Sequence, residues 1–238
     1  MTATASLRSG AEGPGPAGAP GAGSAVDRAA LRLRELIARG RFVGGQPLIE
    51  VELGRQLAVA RSTVRECIRR LETQGLLVAR PRGLQLRLLA RGDVDDLFDL
   101  RELLEGHAAG RAAARFADAP RKDRLAVAEE LRYWRSSGAA EVGSFSDRNR
   151  RFHDLVVELA GNVHMPRMLD QTLLVLFASQ FRAWLPPGSI SRAAAQHTLI
   201  LEAIERHDGR AAELAMRRHI RDARRSIARL PDDAFGER

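Results

Sequence analysis

The stretch Arg61-Ser62-Thr63-Val64-Arg65-Glu66-Cys67-Ile68-Arg69-Arg70-Leu71 has two unlike faces when wound as a helix. Val64, Ile68 and Leu71 fall on one side, while Arg61, Arg65 and Arg69, spaced by four, form a stripe on the other. Ser62 and Thr63 sit at its N-terminal end, and Thr63 to Glu66 has capping-box spacing. A helix buried on one face and lined with arginine on the other fits the major groove of DNA. There its first turns meet base edges and phosphates, and arginine pairs with guanine through two hydrogen bonds. A lone charged stripe is more often a solvated face, so its surroundings decide.

Upstream, Leu33, Leu36 and Ile37 mark a first helix that closes near Gly40. The turn Gly44-Gly45-Gln46-Pro47 follows, then Ile49, Leu53 and Leu57 at four-residue spacing predict a short second helix. Downstream, the arginine-lined helix ends at Gly75. Leu76-Leu77-Val78 and the alternating Leu84-Gln85-Leu86-Arg87-Leu88 read as two strands joined by Arg80-Pro81-Arg82-Gly83. Three helices and a hairpin predict a winged helix-turn-helix over residues 26–90. Charge supports it: residues 26–92 hold 14 arginines against six acids, and this equals the chain's whole excess of +8. A basic module beside a neutral one is expected to bind a polyanion by releasing condensed counterions.

The rest of the chain is bounded quickly. Residues 1–25 are rich in Gly, Ala and Pro with no periodicity, and read as a disordered tail. No apolar run approaches the roughly 18 to 20 residues of a membrane span. The single Cys67 excludes an intramolecular disulfide and reads as a small packing residue. A cytoplasmic protein is expected, with no membrane partner. After Asp93, an expected N-cap followed by Asp95 and Asp96, everything reads as helix. Breaks near 118–120, 136–138, 161–162, 186–188 and 208–209 delimit about six helices over residues 93–230. The expected fold is therefore mainly α, a winged head followed by a helical bundle.

Four polar residues in the bundle lie on otherwise apolar faces. Asn149 and His153 are four apart beside Phe152 and Val156; His197 shares a face with Ala194, Leu201 and Ile204; His219 shares one with Ala212, Ala215 and Ala223. One inward histidine is ordinarily a hydrogen-bonded core residue. Three on three helices are what a divalent metal such as zinc or nickel needs. Arg101, on the stripe Leu97, Leu104 and Ala108, is either the helical partner of Glu105 or a ligand for an effector carboxylate. Asn162, after Gly161, reads as a helix C-cap, and His107, His164 and His207 as exposed. A metal-dependent enzyme acting on a small acid is the alternative. It lacks an evident general base, because Asp147 and Asp154 are spaced to point away from His153.

Two sets of motifs carry a resemblance. Leu36 to Gly45, Leu48-Ile49-Glu50-Val51-Glu52-Leu53, Arg61 to Glu66, Arg70-Leu71-Glu72 and Gly75-Leu76 resemble the GntR family of bacterial regulators. Arg101 to Glu105, Asn149 to His153, Gly161-Asn162, His197 and Met216 to Ile220 resemble the FCD effector domain of its FadR-type subfamily. The resemblance implies a homodimeric repressor or activator on a pseudo-palindromic operator, tuned by a small carboxylate. It implies DNA contacts by Arg61, Ser62, Thr63 and Arg65 and, at the wing tip, by Gly83; Arg69 rests on the spacing, and Arg82 on its place in the basic turn of the wing. It also implies a divalent cation held by His153, His197, His219 and the residue four before the first histidine, an Asp in metal-binding members and Asn149 in this sequence. Ala60 stands where the family has Ser or Thr, which removes a hydroxyl from the start of the arginine-lined helix.

Overall fold

The computed structural model describes residues 24–81, 83–136, 142–171, 180–181, 184, 186 and 188–237. The expected tail falls almost wholly outside the described residues, as do Arg82 and parts of the breaks at 136–138 and 186–188.

The head begins with α1 (Ala25–Ala38), one residue earlier than expected. Ser24 accepts from the Asp27 amide while the Asp27 carboxylate accepts from the Ser24 amide, a reciprocal cap that fixes the start. Gly40, at φ +70°, ends this helix in a conformation that costs glycine little. Two helices follow, α2 (Glu50–Leu57) and α3 (Arg61–Thr73). Leu33, Ile37, Leu53, Val64, Cys67, Ile68 and Leu71 are all buried and interlock the three. Ile49 is instead exposed and precedes α2, so only Leu53 and Leu57 carry that face inward.

The wing is β1 (Leu77–Arg80) paired antiparallel with β2 (Gly83–Leu86), Leu77 opposite Leu86 and Arg80 opposite Gly83. The second strand is shorter than its alternation suggests. Its outer edge is taken by the turn before α2, where Gly45 and Leu48 donate to Leu86 and Leu84. Gly83 stands at the turn with φ +102° and open space around it, so the backbone is bare at the wing tip.

The bundle comprises α4 (Arg91–Arg115), α5 (Arg121–Ser136), α6 (Val142–Leu159), α7 (Met165–Gln171), α8 (Ser189–Glu205) and α9 (Gly209–Ala228) among the described residues. The long α4 is its spine, packing against α6, α8 and α9. Gly110 and Gly209 let α4 and the start of α9 meet backbone to backbone. Asp93 does not cap α4. The helix starts at Arg91, and Asp93 reaches back from its first turn to accept from the Ala90 amide at 3.1 Å. Asn162 is likewise no C-cap: Gly161 takes the left-handed position, and Asn162 accepts from the His164 amide ahead of α7.

The segment after α9 folds back over the connection between head and bundle. Arg91 reaches the carbonyl oxygens of Ala228 and Leu230 and the carboxylate of Asp232, and its guanidinium lies over the Phe235 ring. Buried Gln180 bonds both backbone groups of Leu89 and the carbonyl of Ala234.

Candidate functional site: DNA-reading helix and histidine centre

Arg61, Ser62, Arg65 and Arg69 are exposed along α3, opposite its buried face, and Thr63 is half-buried. The stripe expected from spacing is therefore present. The helix starts at Arg61 with Ala60 in the cap position, so Thr63 to Glu66 lies inside it and is not a capping box. Ala60 offers no side-chain acceptor, leaving the first amides of α3 without a side-chain cap. Arg70, next to the stripe, pairs with Asp27 and ties α3 to α1. Cys67 is buried and free; burial pushes its thiol up, consistent with a packing role.

In the bundle, α6, α8 and α9 bring His153, His197 and His219 together, each offering a ring nitrogen within 4.8 Å of the others. The Nε2 atoms of His197 and His219 are 3.3 Å apart. Phe152 stacks on His197 at 3.8 Å between centroids, and Trp134 meets the same ring edge-on at 4.5 Å. Among the described residues His107, His164 and His207 are exposed, as expected.

The surroundings decide what these rings present. Burial holds His197 and His219 well below the ordinary value of 6.5, and neighbouring cationic groups push the same way, so both are neutral. Gln196 donates its amide to Asp222 at 2.7 Å, which turns its oxygen to His219 Nδ1 at 2.9 Å. That oxygen only accepts, so Nδ1 carries the proton and the Nε2 lone pair faces the centre. Asn149, one turn before His153 on α6, is half-buried.

Glu105 is the residue that spacing treated only as a partner for Arg101. Its side chain is 1% exposed, with one oxygen 2.7 Å from Arg101 Nε and the other 2.5 Å from His153 Nδ1. Burial alone would raise this carboxyl, but Arg101 and His153 beside it hold it well below the usual carboxylate range. Arg101 is buried and its Nε is committed to Glu105. The chain order of Arg101 and Glu105 signalled their pairing, but nothing local signalled His153, 48 positions away from Glu105.

Three buried imidazoles, two of them neutral and one with its lone pair fixed inward, suit a divalent cation of the borderline class. Buried His197 Nδ1 has no hydrogen-bond partner among the described residues, which is unusual for a purely structural histidine. Proton-transfer chemistry finds less support. Asp147 and Asp154 are exposed, and Asp154 lies 3.6 Å from Arg150. An open cavity of about 530 Å³ is lined by Ala90, Arg91, Asp232, Phe235 and Glu237 and includes none of the histidines. No helix among the described residues is long and apolar enough to cross a membrane.

Known proteins share both halves. The profile of the bacterial regulatory proteins of the gntR family matches residues 25–83, and that of the FCD domain matches residues 96–222. The chain is 30% identical over 191 residues to the probable D-xylose utilization operon transcriptional repressor of Paenarthrobacter nicotinovorans, spanning 77% of this chain and 80% of that protein. It is 27% identical over 232 residues to the putative L-lactate dehydrogenase operon regulatory protein of Escherichia coli (strain K12), spanning 87% and 88%. Its fold is shared with E. coli McbR/YncC at a TM-score of 0.74 and 18% identity, covering 87% of this chain and 97% of that one. With both halves matched in order, the chain belongs to the GntR family of DNA-binding bacterial transcription regulators, in the branch that carries an FCD domain.

Proposed function

We propose that this regulator senses a small carboxylate in the histidine centre of its bundle and transmits the binding to its DNA-reading head. The observation that carries the reading is the convergence of His153, His197 and His219 from three helices in a buried setting, beside Arg101. Residues 26–90 form the DNA-binding unit in this reading and residues 93–230 the sensing unit. Arg61, Ser62, Thr63, Arg65, Arg69, Arg82 and Gly83 contact the operator, and the active species is a homodimer on two half-sites.

The three histidines, with the Asn149 amide oxygen as a weaker fourth donor, would hold zinc or nickel, which supplies positive charge that attracts a carboxylate. Arg101 is the protein's own cation for that carboxylate, and must exchange part of its bond with Glu105 to take it. An effector changes DNA affinity only through a difference in affinity for two arrangements of the heads. A relative is named for an L-lactate dehydrogenase operon, so short hydroxy acids are the first compounds to test.

The experiment is metal analysis of the purified chain with and without His197→Ala, followed by operator binding across a panel of small acids. About one cation per chain, lost in the variant, and an acid that shifts operator affinity are expected. A chain that retains no metal and whose operator binding ignores every acid would refute the reading.

A further inference from the structure

One acidic side chain from another helix stands among the arginines of the DNA face. Glu50, the first residue of α2, places Oε2 3.2 Å from Arg65 Nε and 3.6 Å from Arg61 Nε. The Arg65 contact is a formed hydrogen bond. All three side chains are substantially exposed, so the cluster adds little to stability. It also works against affinity, because a carboxylate beside the recognition helix repels the phosphates that the arginines attract.

What the carboxylate does supply is orientation. A guanidinium presents several N–H groups in a rigid plane, and Glu50 takes the Nε of Arg65. The terminal Nη1 and Nη2 groups lie beyond that anchor, as a pair matched to O6 and N7 of one guanine. An arginine steered before docking loses less rotamer freedom on binding than a free one. The same oxygen faces Arg61 at the start of α3, so one carboxylate spans the first two turns of the DNA-reading helix.

We infer that Glu50 is a specificity-determining residue of the DNA interface: it presets Arg65 to read guanine, and its charge penalises binding to unrelated sequence. The inference uses the DNA-reading assignment of Arg65 and needs nothing from the histidine centre.

The test uses the full-length chain. Wild-type protein selects a duplex from a randomised pool. Fluorescence anisotropy then compares that duplex, its single guanine-to-adenine variants and an unrelated duplex, for wild type, Glu50→Gln, Glu50→Ala and Arg65→Ala. Thermal melting checks that each variant is folded; Glu50 is half-buried, with a side chain 38% exposed, and Glu50→Gln keeps its shape. Both Glu50 variants are expected to lose about tenfold of the discrimination at one guanine, the same guanine that Arg65→Ala no longer distinguishes. They are expected to bind the unrelated duplex several-fold more tightly. Unchanged discrimination, or an equal loss on specific and unrelated duplexes, overturns the inference and leaves Arg65 as the reader. Loss confined to a cytosine that Arg65→Ala still distinguishes would make Glu50 a direct reader and also overturn it. If wild type selects no sequence, the DNA-reading assignment of Arg65 falls with it.

Discussion

Two alanines define the tight turn between α2 and α3. Ala58 has φ +54°, in the left-handed region where a Cβ crowds the backbone. Glycine would relieve that at some cost in chain entropy, so Ala58→Gly is expected to stabilise the head by about 0.5–1 kcal/mol. Ala60 already has the extended backbone of an N-cap, φ −64° and ψ 154°, and lacks only the acceptor. Ala60→Ser supplies it, and is expected to add about 1 kcal/mol. Denaturant unfolding of each variant checks both values. A destabilised Ala60→Ser would mean that the first turn of α3 is held by something other than its cap. In Ala60 the sequence was directly informative: the missing hydroxyl was legible before any coordinates. The strained φ of Ala58 was not, because alanine carries no positional signal for a left-handed turn.

At the level of elements, the bundle is assembled around buried ionisable groups, and this gives its stability a pH dependence. His197 and His219 titrate below 6.5 when folded and near 6.5 when unfolded. Between those values the unfolded chain binds more protons, so stability falls as the pH drops below about 6.5 and is level above it. The slope is about 1.4 kcal/mol per pH unit for each histidine. Glu105 is depressed from 4.5 and adds a second loss in the same direction below about pH 4.5. Chelator-stripped protein, melted from pH 8 to 3, should therefore lose stability in two stages; a flat profile through pH 6 would mean that the histidines charge without cost. In the proposed metal site, Glu105→Gln removes the group beside His153 and is expected to weaken metal binding ten- to a hundredfold in a chelator competition. Helical periodicity placed the histidines inward because apolar residues share their faces, Val156 for His153, Ala194 and Leu201 for His197, and Ala215 and Ala223 for His219. It could not show Glu105 meeting His153 or Gln196 orienting His219, since those contacts join different helices. Asp93 and Thr63 misled for a related reason: cap spacing fixes which residues are three apart, while the start of the helix depends on where the preceding chain is held.

Over the whole molecule, head and bundle are joined by a connection that the sequence showed only as a change of periodicity near residue 90. That connection is gripped on two sides. Leu89 exchanges backbone hydrogen bonds with the buried Gln180 side chain and also accepts from the Gly236 amide. Gly236 passes so close that an added Cβ would lie 2.7 Å from Leu88 Cβ. Arg91 binds the carbonyls of Ala228, at the end of α9, and Leu230, just past it, and the Phe235 ring packs at a tilt against Phe181. The segment that seals the connection therefore begins where α9 ends, and α9 also carries His219. Deleting residues 231–238 removes the Asp232, Ala234, Phe235 and Gly236 contacts while leaving α9 and all three histidines in place. The full-length chain is expected to melt in one transition and the truncated chain in two, the head separating from the bundle. The Leu89 amide, still held by Gln180, is expected to exchange faster by at least tenfold as its covering is lost. Arg91→Ala is expected to cost about 1–2 kcal/mol, since its bonds are charge-assisted but partly exposed. A truncated chain that still melts in one transition, with Leu89 exchange unchanged, would show that Gln180 and the Arg91 bonds to Ala228 and Leu230 suffice to hold the connection and that the C-terminal segment is a passive cover.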